Sequence, residues 1–346
     1  MRTSWIAEIL PPLLVTVLFY VRFIEDIFLI AVLRSIMSNL IDIIIPTYKP
    51  EKGFMELIEK LEVQTVKPNK IILMNTEEKY IQKFLKESKI LEKYENIEIH
   101  HVSQTEFDHG ATRDMGVHFS KAPFFLCMTQ DAVPANEYLI EELLKVLKKE
   151  NVASVYAKQL ARANSHILED FTRKFNYPDQ SRIKSRKDLD KLGIKTYFCS
   201  NVCAAYKREV YDKLGGFIKK TIFNEDMIYA ASVIKAGYEI GYVAEAQVIH
   251  SHHYTGKQQF HRNFDLGVSQ ADHPEVFKDV PSEKEGSKLV LETVKFLFRE
   301  KRIDQLIPFV YQCGCKYIGY RMGKAYKRLP MPVIKKCSMN YNYWKS

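Results

Sequence analysis

A chain of 346 residues, of which 46% are hydrophobic and 27% charged, can bury a sizeable core, which excludes a disordered protein. The formal net charge of +9 belongs mainly to the C-terminal end, because eight cations and no acid follow Asp304. The six cysteines include no CxxC pair, and we expect buried or incidental thiols in a reducing cytosol.

The N-terminal segment 1–36 is apolar but matches no standard targeting signal. Its first apolar run, Ile9–Val21, spans about 13 residues, whereas a membrane-spanning helix needs ~20. Glu8 and the bulky residues around it argue against a signal peptide. Two interpretations stay open: a hydrophobic helix on the membrane surface, or sequence upstream of a start at Met37.

Strand and helix patterns alternate regularly after Met37. Short β-branched runs predict buried strands, and apolar residues three and four apart predict the helices between them. Leu40–Pro50 predicts a strand followed by a loop, and further strands are predicted at Asn69–Thr76, Ile97–Val102 and Phe124–Asp131. The helices are predicted at Gly53–Gln64, Tyr80–Leu91, Arg113–Ser120 and Asn136–Lys149. This order is typical of an open α/β sheet, which binds ligands at the carboxyl ends of its strands. We therefore expect Thr47, Asn75 and Asp131 at one shared edge.

The pattern is less regular after Asn151. The polar, basic stretch Lys184–Lys191 predicts a mobile loop, and Gly215-Gly216 predicts the end of a helix that begins near Lys207. Two more helices are predicted at Leu289–Phe298 and Gln305–Leu329. Beyond the N-terminal segment, we therefore predict a main α/β domain at 37–275 and a helical, basic, aromatic region at 276–346.

The stretch FDHGATRD (Phe107–Asp114) combines a glycine with an arginine near the start of a helix. In the functional interpretation, Gly110 lets the chain approach a ligand closely and Arg113 binds phosphate oxygens in a bidentate fork. The alternative is a turn with a structural Arg–Asp pair. The residues themselves leave both open.

The stretch FNEDM (Phe223–Met227) places Glu225 and Asp226 at the opening of an apolar helix. One carboxylate acting as a general base would contribute about 100- to 10,000-fold in rate. The alternative is a helix N-terminus whose acids cap the chain and complement the helix dipole.

The stretch VIHSHHYT (Val248–Thr255) contains a His-x-His pair. On a strand, His250 and His252 would point to the same face, where they can hold a metal ion or grip a phosphate, or simply be surface histidines. Asp131 alone is a poor divalent site and needs a second protein ligand and phosphate oxygens. Cys313-x-Cys315 has no second ligand pair nearby, so we expect no metal there.

In order along the chain, the motifs IIIPTYKP, FDHGATRD, TQDAVP, LGGFIKKTIFNEDM and GYEIGYVAEAQVIHSHHYT resemble those of an inverting glycosyltransferase of family 2 with the GT-A fold. The HGATRD and QDAVP segments are similar to the bacterial rhamnosyltransferase branch. The resemblance covers about Ile41 to Asp272, and YIGYRMGKAYKRLP resembles the tail of that branch. It implies an α/β fold: an open mixed sheet with a Rossmann-like nucleotide-binding half, flanked by helices, followed by a helical basic extension.

The resemblance also implies roles for individual residues. Asp226, beside Glu225, matches the catalytic base, and Asp131 matches the last acid of the metal motif for Mg²⁺ or Mn²⁺. One histidine would complete the metal site, His250 in preference to His252. The nucleotide would contact Pro46, Thr47, Tyr48, Asn75, Arg113 and Asp114, and the sugar or acceptor would contact His109, Gln130 and Asn201.

The predicted function is transfer of a sugar from a nucleotide-sugar donor to a hydroxyl of a cell-surface polysaccharide or lipid-linked glycan precursor. The resemblance favours rhamnose from dTDP-rhamnose; the alternatives are a UDP-hexose-dependent enzyme of the same fold or a non-catalytic subunit of a glycan-synthesis complex. A nucleotidyltransferase is disfavoured, because PTYKPEKG after the first strand is not a Gly-rich loop bearing Arg and Lys.

The C-terminal region mixes its eight cations with aromatic residues, which suits anionic lipid headgroups. We therefore expect peripheral contact with an anionic membrane at the cytoplasmic face of the plasma membrane. Nucleic acid is the competing partner for such a composition, but no nucleic-acid-binding motif accompanies it.

Overall fold

Nine strands form one mixed sheet in the computed structural model, which describes residues 40–345. The strands are β1 (Ile41–Thr47), β2 (Lys70–Thr76), β3 (Ile97–Val102), β4 (Phe124–Met128), β5 (Val133–Pro134), β6 (Val152–Leu160), β7 (Arg182–Lys184), β8 (Cys203–Lys207) and β9 (Glu239–Ile249). Their order across the sheet is β3-β2-β1-β4-β8-β6-β9-β5, and β7 pairs with β9. The predicted N-terminal segment 1–36 lies outside the described residues.

Helices cover both faces of this sheet and continue beyond it. They are α1 (Lys52–Glu62), α2 (Glu78–Ser88), α3 (Ile90–Lys93), α4 (His109–Phe119), α5 (Leu139–Leu147), α6 (Ile167–Asn176), α7 (Leu189–Leu192), α8 (Arg208–Lys213), α9 (Glu225–Lys235), α10 (Gly256–Asp272), α11 (Pro274–Phe277), α12 (Glu283–Arg299), α13 (Leu306–Lys324) and α14 (Met331–Cys337). The predicted Arg113–Ser120 helix begins earlier, at His109, because the Asp108 carboxylate caps it by accepting from the Gly110 and Ala111 N–H groups.

The first half of the sheet is parallel, in keeping with the predicted alternation of strands and helices. β1 pairs with β2 and β4, and β2 pairs with β3, all in parallel register. The strands are buried on both faces because α1, α2 and α5 cover one side while α4 and α9 cover the other. The register sets Thr47 beside Asn75, so the polar residues at the strand ends share one edge.

The second half of the sheet is mixed and brings distant segments together. β8 runs antiparallel to β4 and β6, whereas β9 runs parallel to β6. The short strand β5 pairs with the end of β9, placing Val133 opposite Ile249. Asp131, two residues before β5, therefore lies close to His250, the first residue after β9.

The prediction of a mobile loop at Lys184–Lys191 is wrong. This stretch contains the end of β7, a 3₁₀ turn at Arg186–Asp188 and α7. Lys184 is buried, and its ammonium donates to the Lys195 carbonyl at 2.9 Å. Burial lowers the pKa of Lys184 to about 7. The basic composition of the stretch predicted exposure to solvent. Lys184 is instead buried, and its hydrogen bond to the Lys195 carbonyl holds the segment in place.

Glycines set the packing of the C-terminal helix α13 against α10. A Cβ added at Gly323 would lie 2.1 Å from the Phe264 carbonyl oxygen, and a Cβ added at Gly319 would lie 2.3 Å from the Phe260 carbonyl oxygen. The two backbones therefore approach each other more closely than side chains would allow. Within residues 40–345, no helix has both the length and the apolar character needed to cross a membrane.

Replacement of Gly323 by Ala should lower the thermal unfolding midpoint, because the new methyl group meets backbone and overpacking costs about 1–3 kcal/mol. Gly314→Ala on the same helix is the matched control, since nothing lies within 4 Å of its added Cβ. It should be neutral or stabilising by up to ~1 kcal/mol, because alanine favours helix. Equal midpoints for the two variants would contradict the close packing.

Candidate active site

Asp131, His250 and His252 form a cluster beside the end of β9. The Asp131 Oδ2 atom lies 3.5 Å from His250 Nε2 and 3.2 Å from His252 Nε2. One ligand atom from each residue lies within 4.8 Å of the others, so a single cation can contact all three. Both histidines follow the last residue of β9 rather than lying on the strand, yet both reach the same carboxylate.

The protonation states of this cluster suit a divalent cation. Burial raises the pKa of the Asp131 carboxyl, but the hydrogen bond and charge of His250 and the charge of His252 outweigh it, so the pKa lies well below its usual range. Burial and the neighbouring His250 lower the pKa of His252 to about 4. An ionised carboxylate and a neutral imidazole are the forms that bind metal.

A further side chain orients His250. Its Nδ1 lies 3.1 Å from the Gln159 Oε1 atom, which can only accept, so Nδ1 carries the proton. The other ring nitrogen, Nε2, faces Asp131 and is the atom that can bind a cation when the imidazole is neutral. An oriented imidazole of this kind is typical of metal ligands, so the three residues fit the predicted ion.

The carboxylates Glu225 and Asp226 open helix α9. The preceding Asn224 has a φ of 65°, a left-handed conformation that asparagine tolerates, and its side chain donates to Ser269 Oγ at 3.0 Å. Asn201 holds both acids: its backbone N–H donates to Asp226 Oδ2 at 2.9 Å, and its side-chain amide donates to Glu225 Oε1 at 3.1 Å. Asn201 is itself buried, which makes it a positioning residue for the pair.

The two acids have different environments. Glu225 is buried, and its Oε1 lies 3.1 Å from Arg113 Nη1. Burial raises the pKa of Glu225, but the Arg113 charge outweighs it and keeps the pKa below its usual value. Asp226 is partly exposed, and both burial and the Glu225 charge raise its pKa. These environments support the prediction that Asp226, rather than Glu225, is the base, and the role itself stays a prediction.

The FDHGATRD segment packs against the loop before α9, where the Thr221 N–H donates to Asp108 Oδ2 at 3.0 Å. Gly110 approaches the protein's own backbone closely: an added Cβ would lie 1.9 Å from the Ile218 carbonyl oxygen, so the glycine serves internal packing, and its contact with a ligand stays a prediction. Arg113 pairs with Glu225, and Asp114 accepts from the Tyr211 hydroxyl at 2.9 Å. Both side chains are buried, and their predicted nucleotide contacts stay predictions. His109, at the start of α4, is partly exposed, and burial lowers its pKa.

The strand-end residues predicted for the nucleotide lie together. Thr47, next to Pro46 at the end of β1, donates to Asn75 Oδ1 at 3.4 Å. The Gln130 side chain binds both backbone groups of Tyr48, accepting from its N–H at 2.9 Å and donating to its carbonyl at 3.0 Å. Gln130 therefore fixes the loop after β1, while the Tyr48 ring stays exposed.

Comparison with known proteins places these features in one family. Residues 42–215 match the family described as Glycosyl transferase family 2. The chain belongs to glycosyl transferase family 2. It is 35% identical over 309 residues, covering 88% of this chain and 96% of the relative, to the O-antigen chain rhamnosyltransferase RfbN of Salmonella typhimurium. It is 36% identical over 308 residues, covering 88% of this chain and 95% of the relative, to the O-antigen chain rhamnosyltransferase WbaN of Salmonella anatum.

A solved structure confirms the predicted GT-A fold of this family 2 glycosyltransferase. The mannosyltransferase PcManGT of Pyrobaculum calidifontis, determined in complex with GDP-Man and Mn²⁺, is similar with a TM-score of 0.52. The similarity covers 88% of this chain and 84% of that chain, at 14% sequence identity. The predicted enzyme class, a glycosyltransferase, is confirmed by the family.

Sequence patterns missed a cavity of about 790 Å³ in the glycosyltransferase. Its wall includes His250 and His252, and three cations from separate helices also line it: Arg173 of α6, Arg262 of α10 and Lys316 of α13. These cations are far apart in the sequence and carry no shared motif. Only the packing of α6, α10 and α13 brings them to one space.

Proposed function

We propose that this glycosyltransferase moves rhamnose, from dTDP-rhamnose, to a hydroxyl of a cell-surface polysaccharide or a lipid-linked glycan precursor. The observation that carries this proposal is the likeness to two O-antigen chain rhamnosyltransferases, at 35% and 36% identity over 88% of this chain. The arrangement of the acids and histidines supports a transfer that inverts the anomeric carbon in one displacement.

In the proposed reaction, Asp226 takes the proton from the acceptor hydroxyl as its oxygen attacks the anomeric carbon. The raised pKa of Asp226 suits this role, because a stronger base removes a hydroxyl proton more readily. Glu225, paired with Arg113, keeps its negative charge beside the base, and Asn201 fixes the direction of both carboxylates. No covalent link between sugar and protein is required.

Asp131, His250 and His252 would hold the divalent cation. Two imidazoles and one carboxylate fit Mn²⁺ better than Mg²⁺, which prefers an all-oxygen shell. When bound, such an ion neutralises negative charge that develops on a diphosphate leaving group. The mannosyltransferase of similar fold was determined with Mn²⁺, which supports the same choice of ion for this chain.

Calorimetric binding of a panel of nucleotide sugars, with and without Mn²⁺ or Mg²⁺, tests the donor. We expect metal-dependent preference for dTDP-rhamnose over UDP-hexoses and over the other nucleotide sugars. Preference for a UDP-hexose would overturn the rhamnose assignment but retain the reaction class. Binding of no donor at all would favour a non-catalytic subunit.

We also propose that the protein contacts an anionic membrane through α13, at the cytoplasmic face of the plasma membrane. One side of this helix presents an apolar stripe to solvent: Ile307 is 83%, Val310 64%, Tyr311 62%, Tyr317 61% and Ile318 54% exposed. Their spacing of three, four and seven residues keeps them on one face. Four exposed cations lie at the end of the same helix and directly after it, where their charge complements anionic headgroups: Arg321, Lys324, Lys327 and Arg328.

Flotation with vesicles of neutral or partly anionic lipid tests this contact. The Ile307→Ser/Val310→Ser variant should lose binding to anionic vesicles, because it removes apolar surface without changing charge. Leu291→Ser is the matched control, since Leu291 is a 54% exposed apolar residue on α12 rather than α13. Binding should also weaken as salt is raised. Equal flotation of the α13 variant and the wild type would refute the stripe as the contact surface.

A further inference from the structure

A series of hydrogen bonds connects the interior of the sheet to the two acids that open α9. The Tyr206 hydroxyl, on β8, donates to Asn201 Oδ1 at 2.7 Å. The Asn201 side-chain nitrogen in turn donates to Glu225 Oε1 at 3.1 Å, and the Asn201 backbone N–H donates to Asp226 Oδ2 at 2.9 Å. Tyr206 and Asn201 are both buried. Through one residue, the Tyr206 hydroxyl is therefore connected to both acids.

The chemistry of the groups fixes the direction of each bond in this series. An ionised carboxylate can only accept, so Glu225 requires the nitrogen of the Asn201 amide, and the amide oxygen then faces the donating Tyr206 hydroxyl. Cys199 Sγ lies 3.8 Å from the same hydroxyl. Burial raises the pKa of Cys199 to about 12, so its S–H is retained and can donate to the Tyr206 oxygen. Donors that point the same way polarise one another, which strengthens the last bond, to Glu225.

The Tyr206 hydroxyl favours one of the two orientations that an amide can take. Without it, the buried Asn201 Oδ1 atom would lose its partner, which is unfavourable. An amide turned the other way would set this oxygen against the Glu225 carboxylate, where two acceptors repel each other. Either outcome weakens the hydrogen bond that stabilises the ionised form of the acids.

Other ionisable groups face the two acids from neighbouring elements. Burial raises the pKa of Glu225, and the charges of Arg113 and His109 together with the Asn201 amide outweigh it. Burial and the Glu225 charge raise the pKa of Asp226, against the Asn201 N–H bond. Because the acids interact, the pKa for the last proton of the pair depends on every group that stabilises the fully ionised form. Further ionisable side chains that interact with one or both acids are Arg262, Cys127, Cys199, Tyr177 and Tyr206.

We propose that Tyr206 is a positioning residue for transfer: its hydroxyl orients the Asn201 amide, which holds Glu225 ionised beside the base Asp226. The inference rests on the proposed role of Asp226 and adds a residue that touches no substrate. Sequence patterns do not indicate this role, because a tyrosine within an apolar strand is ordinarily a core residue.

The first arm of the test compares the pH dependence of turnover in two variants that each lose one hydroxyl. Tyr206→Phe keeps the buried ring, and its acid limb should move to higher pH by about 0.5 to 1 unit, the shift expected for loss of one hydrogen bond. Donor affinity, measured by calorimetry, should stay unchanged. Equal acid limbs for Tyr206→Phe and the wild type would overturn the proposal.

Tyr229→Phe is the matched control for this arm. Tyr229 lies on α9, and its ring packs against Tyr206 with the centroids 5.6 Å apart. Its buried hydroxyl has no hydrogen-bond partner among residues 40–345. The acid limb of Tyr229→Phe should therefore coincide with that of the wild type, and an equal shift in both variants would show that the effect is one of ring packing and contradict the proposal.

A second arm tests whether the effect passes through Asn201. Asn201→Ala removes the side-chain amide but retains the backbone N–H that donates to Asp226. Its acid limb should also move to higher pH, and Tyr206→Phe in this background should add no further shift. A shift of full size in the double variant would mean that Tyr206 acts by another route, and the proposal would be wrong.

A third arm needs no turnover, so its failure is separate from a failure of the proposed sugar transfer. A raised pKa of an acid in the folded state removes stability above that pKa and leaves it unchanged below. The thermal midpoint of Tyr206→Phe should therefore fall further below that of Tyr229→Phe as the pH rises from about 4, the usual aspartate value. A difference that stays constant with pH would indicate a purely structural role for Tyr206 and overturn the proposal, whichever sugar is transferred.

Discussion

Replacement of Asp226 by Asn is expected to lower the turnover number by about 100- to 10,000-fold, the contribution of a general base. The amide keeps the size of the side chain, and its single oxygen can still accept from one of the Asn201 and Met227 N–H groups, which donate to the two Asp226 carboxylate oxygens. It cannot take a proton. Donor affinity, measured by calorimetry, should therefore stay near the wild-type value while transfer is lost.

Glu225→Gln is the matched control for this prediction. Its expected effect is mainly on stability, because the buried Arg113 guanidinium would lose the carboxylate that lies 3.1 Å away. The thermal midpoint should fall further for Glu225→Gln, which leaves a buried charge unpaired, than for Asp226→Asn, which loses one hydrogen bond. Near wild-type turnover in Asp226→Asn would show that another group is the base.

The pH dependence of turnover gives an independent check on the same pair. Protonated Asp226 cannot act as a base, so turnover falls as the pH drops through its pKa. Burial and the Glu225 charge both raise that pKa, so the acid limb should lie above the value of about 4 that is usual for aspartate. Glu225→Gln removes one of these two causes, and the limb should then move to lower pH. An acid limb at the usual aspartate value in the wild type would contradict the assignment.

The parallel half of the fold could be predicted because the pattern of each strand and helix lies within one short stretch of sequence. Each of β1, β2, β3 and β4 lies in a short run typical of a strand, and each intervening helix shows apolar residues three and four positions apart. The shared edge followed from these elements alone, since parallel strands present their carboxyl ends on the same side. Thr47 and Asn75 are neighbours there, as expected.

The cluster around Asp131 was only partly predictable. The sequence indicated that the lone acid needs a second ligand and offered two histidines, with a preference for His250. The structure brings both to Asp131, because the pairing of β5 with β9 joins segments separated by more than a hundred positions in the sequence. A strand of two residues, Val133–Pro134, carries too little pattern to be recognised in advance.

Packing in the interior accounts for the features that the sequence patterns did not predict. Lys184 and Gly110 carry signals of a loop and a ligand contact, but each is used for internal packing. Arg173, Arg262 and Lys316 carry no signal at all, because isolated cations on helices normally face solvent. Their convergence depends on how α13 packs against α10 through glycines, which no single stretch of sequence specifies.

Substitution of His250 or His252 is expected to have the second large effect, on the affinity for Mn²⁺. His252→Ala and His250→Ala should each lower Mn²⁺ affinity by at least about 100-fold, since they remove a ligand rather than a residue that supports one. Calorimetric titration of Mn²⁺ measures this without donor or turnover. His253→Ala is the matched control, because His253 lies in the same segment but contacts Glu169 instead of Asp131.

The relative size of the two losses tests the geometry more closely. His250 is buried and oriented by a hydrogen bond to Gln159, whereas the His252 side chain is 37% exposed and is held by stacking on the Tyr254 ring. A pre-oriented ligand loses less conformational freedom on binding, so we expect the larger loss for His250→Ala. Gln159→Leu should then weaken Mn²⁺ less than His250→Ala but more than His253→Ala. Unchanged Mn²⁺ affinity in both histidine variants would mean that the ion, if required for transfer, is held elsewhere.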